Sequence, residues 1–178
     1  VATCRERMRD LRGLELTQLG LSENQAAKLI AAIELGKRLY TPKPAGQALE
    51  DPESAAIALI DDLGFTDVEK VVVLVLNHAH QLITKQVLGI GSRSKCLVHP
   101  PIVFETIMRY RGSCFILGHS HPIGCIDASE EDLEITKELI AASNFLHLPM
   151  LDHLIIGGDD YSSIRCRHSE LWAEAYYA

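Results

Sequence analysis

Apolar residues along this chain recur with two periods, which predict strands in some segments and helices in others. Short, nearly continuous apolar runs of strand length occur in residues 68–91, on both sides of a turn at Asn77–His80, and again in 113–118 and 151–157. Between them lie segments whose apolar residues recur every three or four positions, as on one face of a helix. The order strand, strand, helix, strand, helix, strand predicts an α/β fold, with a mixed sheet flanked by helices.

Proline and capping residues mark where the predicted helices begin. Asp51 followed by Pro52 starts a helix that runs to Leu63, since Asp is a favoured N-cap and proline fits the first helical position. A second helix follows His99–Pro101, and a third begins at Ser129. The residues predicted to face the core are Val103, Ile107 and Tyr110 in the second helix, and Ile135, Leu139, Ala142 and Leu146 in the third.

The first 44 residues predict a separate helical hairpin. Residues 14–19 and Ser22–Tyr40 have helical periodicity, and Ser22 with Gln25 forms a capping box at the start of the longer helix. Two prolines and a glycine in 41–46 then interrupt the periodicity and predict a linker. The predicted domains are therefore a helical hairpin in 1–44 and an α/β domain in 51–178.

The candidate chemistry is concentrated in residues 119–132, which follow the pattern H-x-H-P-x6-S-x-x-D. His119 and His121 leave the end of the strand predicted at 113–118, and residues two apart on a strand point the same way. Asp132 lies in the first turn of the following helix. Two imidazoles and a carboxylate leave a fourth position open, as in catalytic zinc sites where water becomes the nucleophile. The pattern predicts a metal site at His119, His121 and Asp132.

Each part of this pattern also has a structural interpretation. Ser129 followed three residues later by an acid is a capping box, and an H-x-H pair is often a surface feature, as expected for His78 and His80 in the hairpin turn. Asp152 and His153 are adjacent on a predicted strand, so they face opposite sides of the sheet and cannot form a dyad. Strand alternation leaves open that His153 faces the site.

Composition and charge restrict the class of protein and of partner. The chain has 178 residues, of which 47% are hydrophobic, so it can bury a core, and no apolar run reaches the length of a membrane span. The net charge is −7, but residues 1–44 hold 8 Lys or Arg against 5 Asp or Glu, so nucleic-acid contact would fall there. Five cysteines without C-x-x-C spacing predict a reducing cytoplasm. Because the chain begins with Val1 rather than Met, it is expected to be a fragment.

Three other residues are expected to be structural, and two of them also have a functional alternative. Cys114 lies in an apolar strand and is expected to pack in the core. Cys125, between His121 and Asp132, is expected to be a small turn residue, with contact to the metal as the alternative. Trp172 is expected to cover the core or to fray into solvent, with stacking on a base or a partner as the alternative.

Residues 119–132 resemble the JAMM (MPN+) metalloprotease motif, and the surrounding chain resembles the RadC family, a UPF0758-like group of JAMM-domain proteins long labelled as DNA repair proteins. The resemblance covers most of the chain and is best in 69–178. It implies that His119, His121 and Asp132 bind Zn²⁺ and that Ser129 contacts the bound water or the oxyanion. The implied reaction is hydrolysis of an amide or isopeptide bond in a peptide or protein. The segments that carry the resemblance beside the motif are Glu69–Leu76, Gln86–Gly91, Val98–Pro100 and Leu151–Gly157. The resemblance implies that the last of these, which contains His153, is a structural strand.

The chain departs from this family at Gln86. Family members with the hydrolase machinery carry a glutamate on an earlier strand, in an E-V-L-x-x-G context, where this chain has Gln86. An amide cannot accept a proton, so loss of the general acid/base is expected to slow hydrolysis by about 10²- to 10⁴-fold. Glu69, Asp127 and Glu130 are candidate replacements by proximity in sequence. The first alternative function is a zinc-binding pseudoenzyme that recognises a peptide without cutting it.

The N-terminal hairpin resembles the helix-hairpin-helix region that precedes the JAMM domain in RadC-like proteins. That region binds the DNA backbone through a Gly-hydrophobic-Gly turn. Here the turn is Gly20-Leu21-Ser22, so the second glycine is missing, and a plain packing hairpin is the other interpretation. The second alternative function is therefore a DNA-associated accessory protein, with a weak DNA contact through the hairpin.

Overall fold

The computed structural model describes residues 20–40, 48–91, 98–122 and 124–174, and the chain divides into two compact units, 1–43 and 44–178. In the first unit, helix α1 spans Glu23–Tyr40. The predicted capping box is present, because Ser22 N donates to Gln25 Oε1 over 2.9 Å and Gln25 N donates to Ser22 Oγ over 3.4 Å. Residues 14–19 and the predicted linker lie outside the described residues, so the hairpin and its DNA contact stay predictions.

The second unit contains one sheet and the helices that cover it. Its strands are β1 (Lys70–Leu76), β2 (Leu82–Ile90), β3 (Cys114–Ser120), β4 (Met150–Gly157) and β5 (Asp160–Ser163). Its helices are α2 (Pro52–Leu63), α3 (Pro100–Arg109), α4 (Glu130–Leu146), α5 (Ile164–Arg167) and α6 (Glu170–Glu174). The strand order is β2-β1-β3-β4-β5, with β3 and β4 parallel and the other neighbours antiparallel. The predicted mixed sheet flanked by helices is confirmed. Within the described residues, no helix is long and apolar enough to cross a membrane.

Helices cover both faces of the sheet, so the central strands are buried on both sides. Val71, Val73 and Val75 of β1 pack with α3 and α4 on one face, called the α4 face. The alternate residues of β1 pack with α2 on the opposite face, called the α2 face. All of β3 and all of β1 after Lys70 are buried. This two-sided burial explains why both strands are continuous apolar runs in the sequence rather than alternating ones.

The buried stripe of α4 is only partly the predicted one. Three polar residues belong to it, and a hydrophobic pattern assigns such residues to solvent. Leu146, which was predicted to face the core, is 40% exposed. The residues that α4 buries are Asp132, Thr136, Leu139, Ile140 and Ser143.

Helix α3 follows the prediction except at its end. Val103 and Ile107 are fully buried as expected. Tyr110 is the C-cap residue and is 38% exposed, so its assignment to the core is wrong. A residue at the helix terminus has left the helical path, and its side chain no longer follows the spacing of the buried stripe.

The C-terminal part of the chain closes one end of the sheet. Trp172 is buried, and its indole N–H donates to the carbonyl of Met150 over 2.9 Å. The guanidinium of Arg165 lies 5.8 Å from the centre of the Trp172 ring, within the range of a cation–π contact. Trp172 therefore covers the core, as the structural interpretation predicted.

Gly118 allows α2 to approach β3 directly beside the candidate metal ligands. A Cβ atom at this position would lie 2.6 Å from Leu59 Cδ1 and 2.9 Å from Leu63 Cδ1. Both leucines are buried, so neither side chain can move into solvent. The absence of a side chain at this position is therefore a packing requirement of the α2 face.

We expect Gly118→Ala to lower the free energy of unfolding by about 1–3 kcal/mol, because the added methyl group overpacks the α2 face. Leu59→Ala alone should cost about 2–5 kcal/mol through the cavity that it leaves. The double variant should lose less than the sum of the two, since the methyl group added at position 118 would occupy part of that cavity. Urea denaturation of the three variants measures this coupling, and strictly additive losses would contradict the packing argument.

Candidate metal centre

One end of the parallel pair β3 and β4 presents the residues of the predicted metal site. His119 lies within β3, one residue before its end, and His121 directly follows the strand. Asp132 is the third residue of α4, so the N-terminal turn of that helix brings its carboxylate to the end of β3. The prediction that a strand end and a helix start would meet at this site is confirmed, with His119 inside the strand rather than beyond it.

The three side chains form a tight group. One ligand atom from each of His119, His121 and Asp132 can be chosen so that all lie within 4.8 Å of one another. His119 Nδ1 is 2.7 Å from Asp132 Oδ1, and His121 Nε2 is 3.3 Å from Asp132 Oδ2. The two imidazole centres are 5.0 Å apart with an angle of 80° between their planes. The group is thus compact enough for one ion to contact all three residues.

The capping box and the candidate metal site share the carboxylate of Asp132. Ser129 donates from its backbone N and its Oγ to Asp132 Oδ2, over 2.8 Å and 2.7 Å. Ser129 Oγ in turn accepts from Asp132 N over 3.1 Å. The other oxygen of Asp132 remains directed at His119. The two interpretations of the sequence are therefore compatible, because one carboxylate oxygen caps the helix through Ser129 while the other faces the histidine.

Hydrogen bonds and burial set the charge state of the group. Burial raises the pKa of Asp132, but hydrogen bonds from His119, His121 and Ser129 outweigh it and hold that pKa far below its usual value. The hydrogen bond to Asp132 raises the pKa of His121 above its ordinary 6.5, although burial opposes this shift. The group therefore keeps an ionised carboxylate and favours positive charge beside it, which is the electrostatic requirement of a cation site.

The donor set fits a divalent metal ion such as zinc. His119 is 7% exposed and Asp132 3% exposed, and His119 Nε2 has no hydrogen-bond partner among the described residues. His121 Nδ1 lies 3.0 Å from the carbonyl of Cys125, an acceptor that leaves Nε2 free to face the site. Two imidazoles and one carboxylate match zinc chemistry, although they also suit other divalent ions. The three residues could hold a metal ion.

Glu69 brings a second carboxylate to the group. It directly precedes β1, and its Oε2 lies 3.7 Å from His119 Nε2. Its side chain is 13% exposed. The two other carboxylates considered from the sequence lie in more open positions, because Asp127 pairs with Arg167 at the surface and Glu130 is exposed. Of these three candidates, the structure places Glu69 against a site histidine.

Gln86 lies on the same face of the sheet but two strands away from β3. It pairs with Val73 of β1, which points to the α4 face, and its amide donates to Thr84 Oγ1 over 3.0 Å. His119 pairs with Val71 on the other side of β1. The sequence context pointed to Gln86 as the catalytic position, whereas the pairing of β1 with β3 brings Glu69, which directly precedes β1, close to His119.

His153, on a strand expected to be structural, lies close to the candidate metal ligands. Asp152 pairs with Ile116 and His153 with Leu117, so the two side chains do face opposite sides as predicted. His153 is on the α4 face, and its ring lies 6.5 Å from that of His119 with 19° between the planes. Strand alternation alone could not show which of the two adjacent residues would face the site.

The loop between the two histidines and α4 contains Cys125. This residue is exposed, and its backbone carbonyl rather than its thiol contacts His121. Cys114 is buried in β3, and burial raises the pKa of its thiol to about 11. The structure thus confirms Cys114 as a core residue and places the main chain of Cys125 beside the site.

Comparison with known proteins identifies the relatives of this chain. The family model of the RadC-like JAB domain matches residues 49–170. A UPF0758 protein of Picosynechococcus sp. is 40% identical over 160 residues, which cover 89% of this chain and 65% of that protein. UPF0758 proteins of Trichodesmium erythraeum and Acaryochloris marina are 39% and 40% identical, and the match covers 94% and 93% of this chain. The chain spans 69% and 68% of those two proteins, so it corresponds to about two thirds of such relatives. The chain belongs to the RadC-like JAB domain family.

Proposed function

We propose that this chain is a zinc-dependent hydrolase of the JAMM metallopeptidase type, which cleaves an amide or isopeptide bond in a peptide or protein. The observation that carries the proposal is the arrangement of His119, His121 and Asp132 around one point, with the carboxylate of Glu69 3.7 Å from His119. Membership of the RadC-like JAB domain family supports it. A group of metal-binding side chains with a separate carboxylate beside it is the arrangement of a hydrolytic site rather than of a closed structural one.

In this proposal the chain's residues divide the tasks of binding and proton transfer. His119, His121 and Asp132 would hold the zinc ion, which would act as a Lewis acid toward water and a carbonyl oxygen. Ser129 orients the carboxylate of Asp132 through the hydrogen bond from its hydroxyl. This hydroxyl has one hydrogen, so we propose that in the tetrahedral intermediate it donates to the oxyanion instead, while the backbone N–H of Ser129 keeps its hydrogen bond to Asp132.

We assign the general acid/base to Glu69. Its carboxylate can take a proton from the attacking water and return it to the leaving amine, which an amide at position 86 cannot do. The ligand atoms that lie within 4.8 Å of one another come from His119, His121 and Asp132, and none comes from Glu69. The role of a base beside the metal therefore suits Glu69 better than that of a fourth ligand. The presence of Glu69 removes the reason to expect that Gln86 impairs hydrolysis.

Metal content is the first test of the site. Protein purified without added metal should contain about one zinc per chain, since three protein ligands are present. His121→Ala and Asp132→Asn should lose the metal while remaining folded. His78→Ala is the matched control, because His78 is an exposed histidine of the β1–β2 turn. Elemental analysis measures the metal, and equal zinc in all four proteins would contradict the assigned ligands.

Zinc affinity should increase with pH. The hydrogen bond to Asp132 raises the pKa of His121, so below that pKa zinc must displace a proton from this imidazole. Asp132 stays ionised at these pH values because its pKa is lowered, and it contributes no such dependence. Competition titrations between about pH 5 and 8 should show that loss of the His121 proton contributes up to about tenfold in affinity per pH unit, levelling off above the pKa of His121. An affinity independent of pH would contradict this protonation state.

The role of Glu69 can be separated from that of Gln86 by exchanging acid and amide. Glu69→Gln should lower the rate of amine release from peptide and isopeptide libraries by about 10²- to 10⁴-fold with zinc affinity unchanged. Gln86→Glu should have little effect, and Glu130→Gln, at an exposed site, is the control.

Three other results would change the assignment. A higher rate in Gln86→Glu would place the base at position 86. Loss of zinc in Glu69→Gln would make Glu69 a ligand. If all of these proteins bind zinc but none releases an amine, the result would favour the alternative function, a zinc-binding pseudoenzyme.

A further inference from the structure

His153 is a buried polar residue with no task in the mechanism above. It is 1% exposed, and its Nδ1 lies 2.7 Å from Thr136 Oγ1 of α4. Its Nε2 is buried and has no hydrogen-bond partner among the described residues. An imidazole withdrawn from water in this way costs free energy that an apolar residue would not. Its presence therefore calls for a specific interaction.

The direction of the hydrogen bond between His153 and Thr136 follows from the single hydrogen of the Thr136 hydroxyl. The hydroxyl of Thr136 has one hydrogen, which it donates to the carbonyl of Asp132 over 2.5 Å. The bond to His153 must then be donated by His153 Nδ1–H and accepted by Thr136 Oγ1. The result is a chain of two hydrogen bonds that runs from His153 to Asp132.

This chain of hydrogen bonds joins the two elements that carry metal ligands. Thr136 lies one turn after Asp132 in α4, and His153 lies on β4, next to β3. The imidazole of His153 is nearly parallel to that of His119, with 6.5 Å between the ring centres. The side chain of His153 thus lies between Thr136 of α4 and His119 of β3.

We propose that His153 is a positioning residue of the metal centre, which acts on Asp132 through Thr136 and on His119 through ring packing. The inference rests on the metal binding of the proposed function and does not depend on hydrolysis. Residues that orient metal ligands in this way typically affect metal affinity by about 10- to 100-fold. A residue that only fills the core would change stability instead, without a specific effect on the metal.

The test compares substitutions that keep or remove the hydrogen bond. Thr136→Ser keeps the hydroxyl and Thr136→Val removes it. His153→Asn places an amide N–H at the position of Nδ1, whereas His153→Gln places it at that of Nε2. Ser143→Ala is the matched control, because Ser143 is also buried in α4 and its hydroxyl donates to a carbonyl of the same helix, that of Ile140, over 2.8 Å.

Zinc affinity of the full chain is measured by competition with a chromophoric chelator. The visible spectrum of the Co²⁺ form and the thermal unfolding of the apoprotein are measured for the same variants. We expect Thr136→Val and His153→Gln to bind zinc about 10- to 100-fold more weakly and to shift the Co²⁺ bands. Thr136→Ser and His153→Asn should keep a zinc affinity and a Co²⁺ spectrum close to those of the wild type. Ser143→Ala should lower the unfolding temperature without changing either metal signal.

Several outcomes would overturn the inference. Wild-type affinity and an unshifted spectrum in folded Thr136→Val and His153→Gln would show that the hydrogen bonds do not position the ligands. An equal loss of affinity in Ser143→Ala would show a general effect of stability. Equal affinities of His153→Asn and His153→Gln would exclude the Nδ1 bond, even if the Thr136→Val variant failed to fold. If the wild type does not bind zinc, the proposed function fails together with this inference. In the other three outcomes only the inference about His153 fails.

Discussion

A carboxylate withdrawn from water must be compensated by hydrogen bonds or by positive charge, and Asp132, which is 3% exposed, is subject to this constraint. The compensation comes from the first turn of α4, where Ser129 donates two hydrogen bonds, and from the imidazoles of His119 and His121. The N-terminus of α4 adds the favourable end of the helix dipole. All of these partners contact the carboxylate of Asp132, so the start of α4, the end of β3 and the two histidines form one hydrogen-bonded unit. A divalent ion would take the place of the protons that this unit now shares.

The two faces of the sheet serve different purposes. The α2 face is mainly apolar and so tightly packed that Gly118 leaves no space for a Cβ atom beside Leu59. The α4 face is apolar over most of its length and becomes polar at one end, where His119, His153 and the start of α4 meet. Rigid packing on one side holds β3 in place while polar residues on the other side reach the site. Sites of α/β proteins commonly lie at the carboxyl ends of parallel strands, and β3 and β4 form such a pair.

The candidate acid/base shows how sequence context and spatial position can differ. Gln86 stands in the sequence context in which we expected a catalytic glutamate, and its substitution suggested an impaired enzyme. In the structure Gln86 lies on β2, separated from β3 by β1, whereas Glu69 at the start of β1 approaches His119. Because β1 and β3 are antiparallel neighbours, the residue that precedes β1 meets the end of β3. Proximity along the chain could name Glu69 as a candidate, but only the pairing of the strands could favour it.

The sequence by itself determined the α/β class, the ends of most helices and the three candidate metal ligands, because these depend on local properties. Strand alternation directs His119 and His121 to one side, and a capping box places Asp132 in the first turn of α4, whatever the rest of the chain does. The tertiary structure decided which carboxylate approaches the site and which face of β4 carries His153. It also decided that polar residues such as Thr136 belong to the buried stripe of α4. These features depend on strand order and on the register between β1, β3 and β4, and contacts between distant segments leave no periodic signal in the sequence.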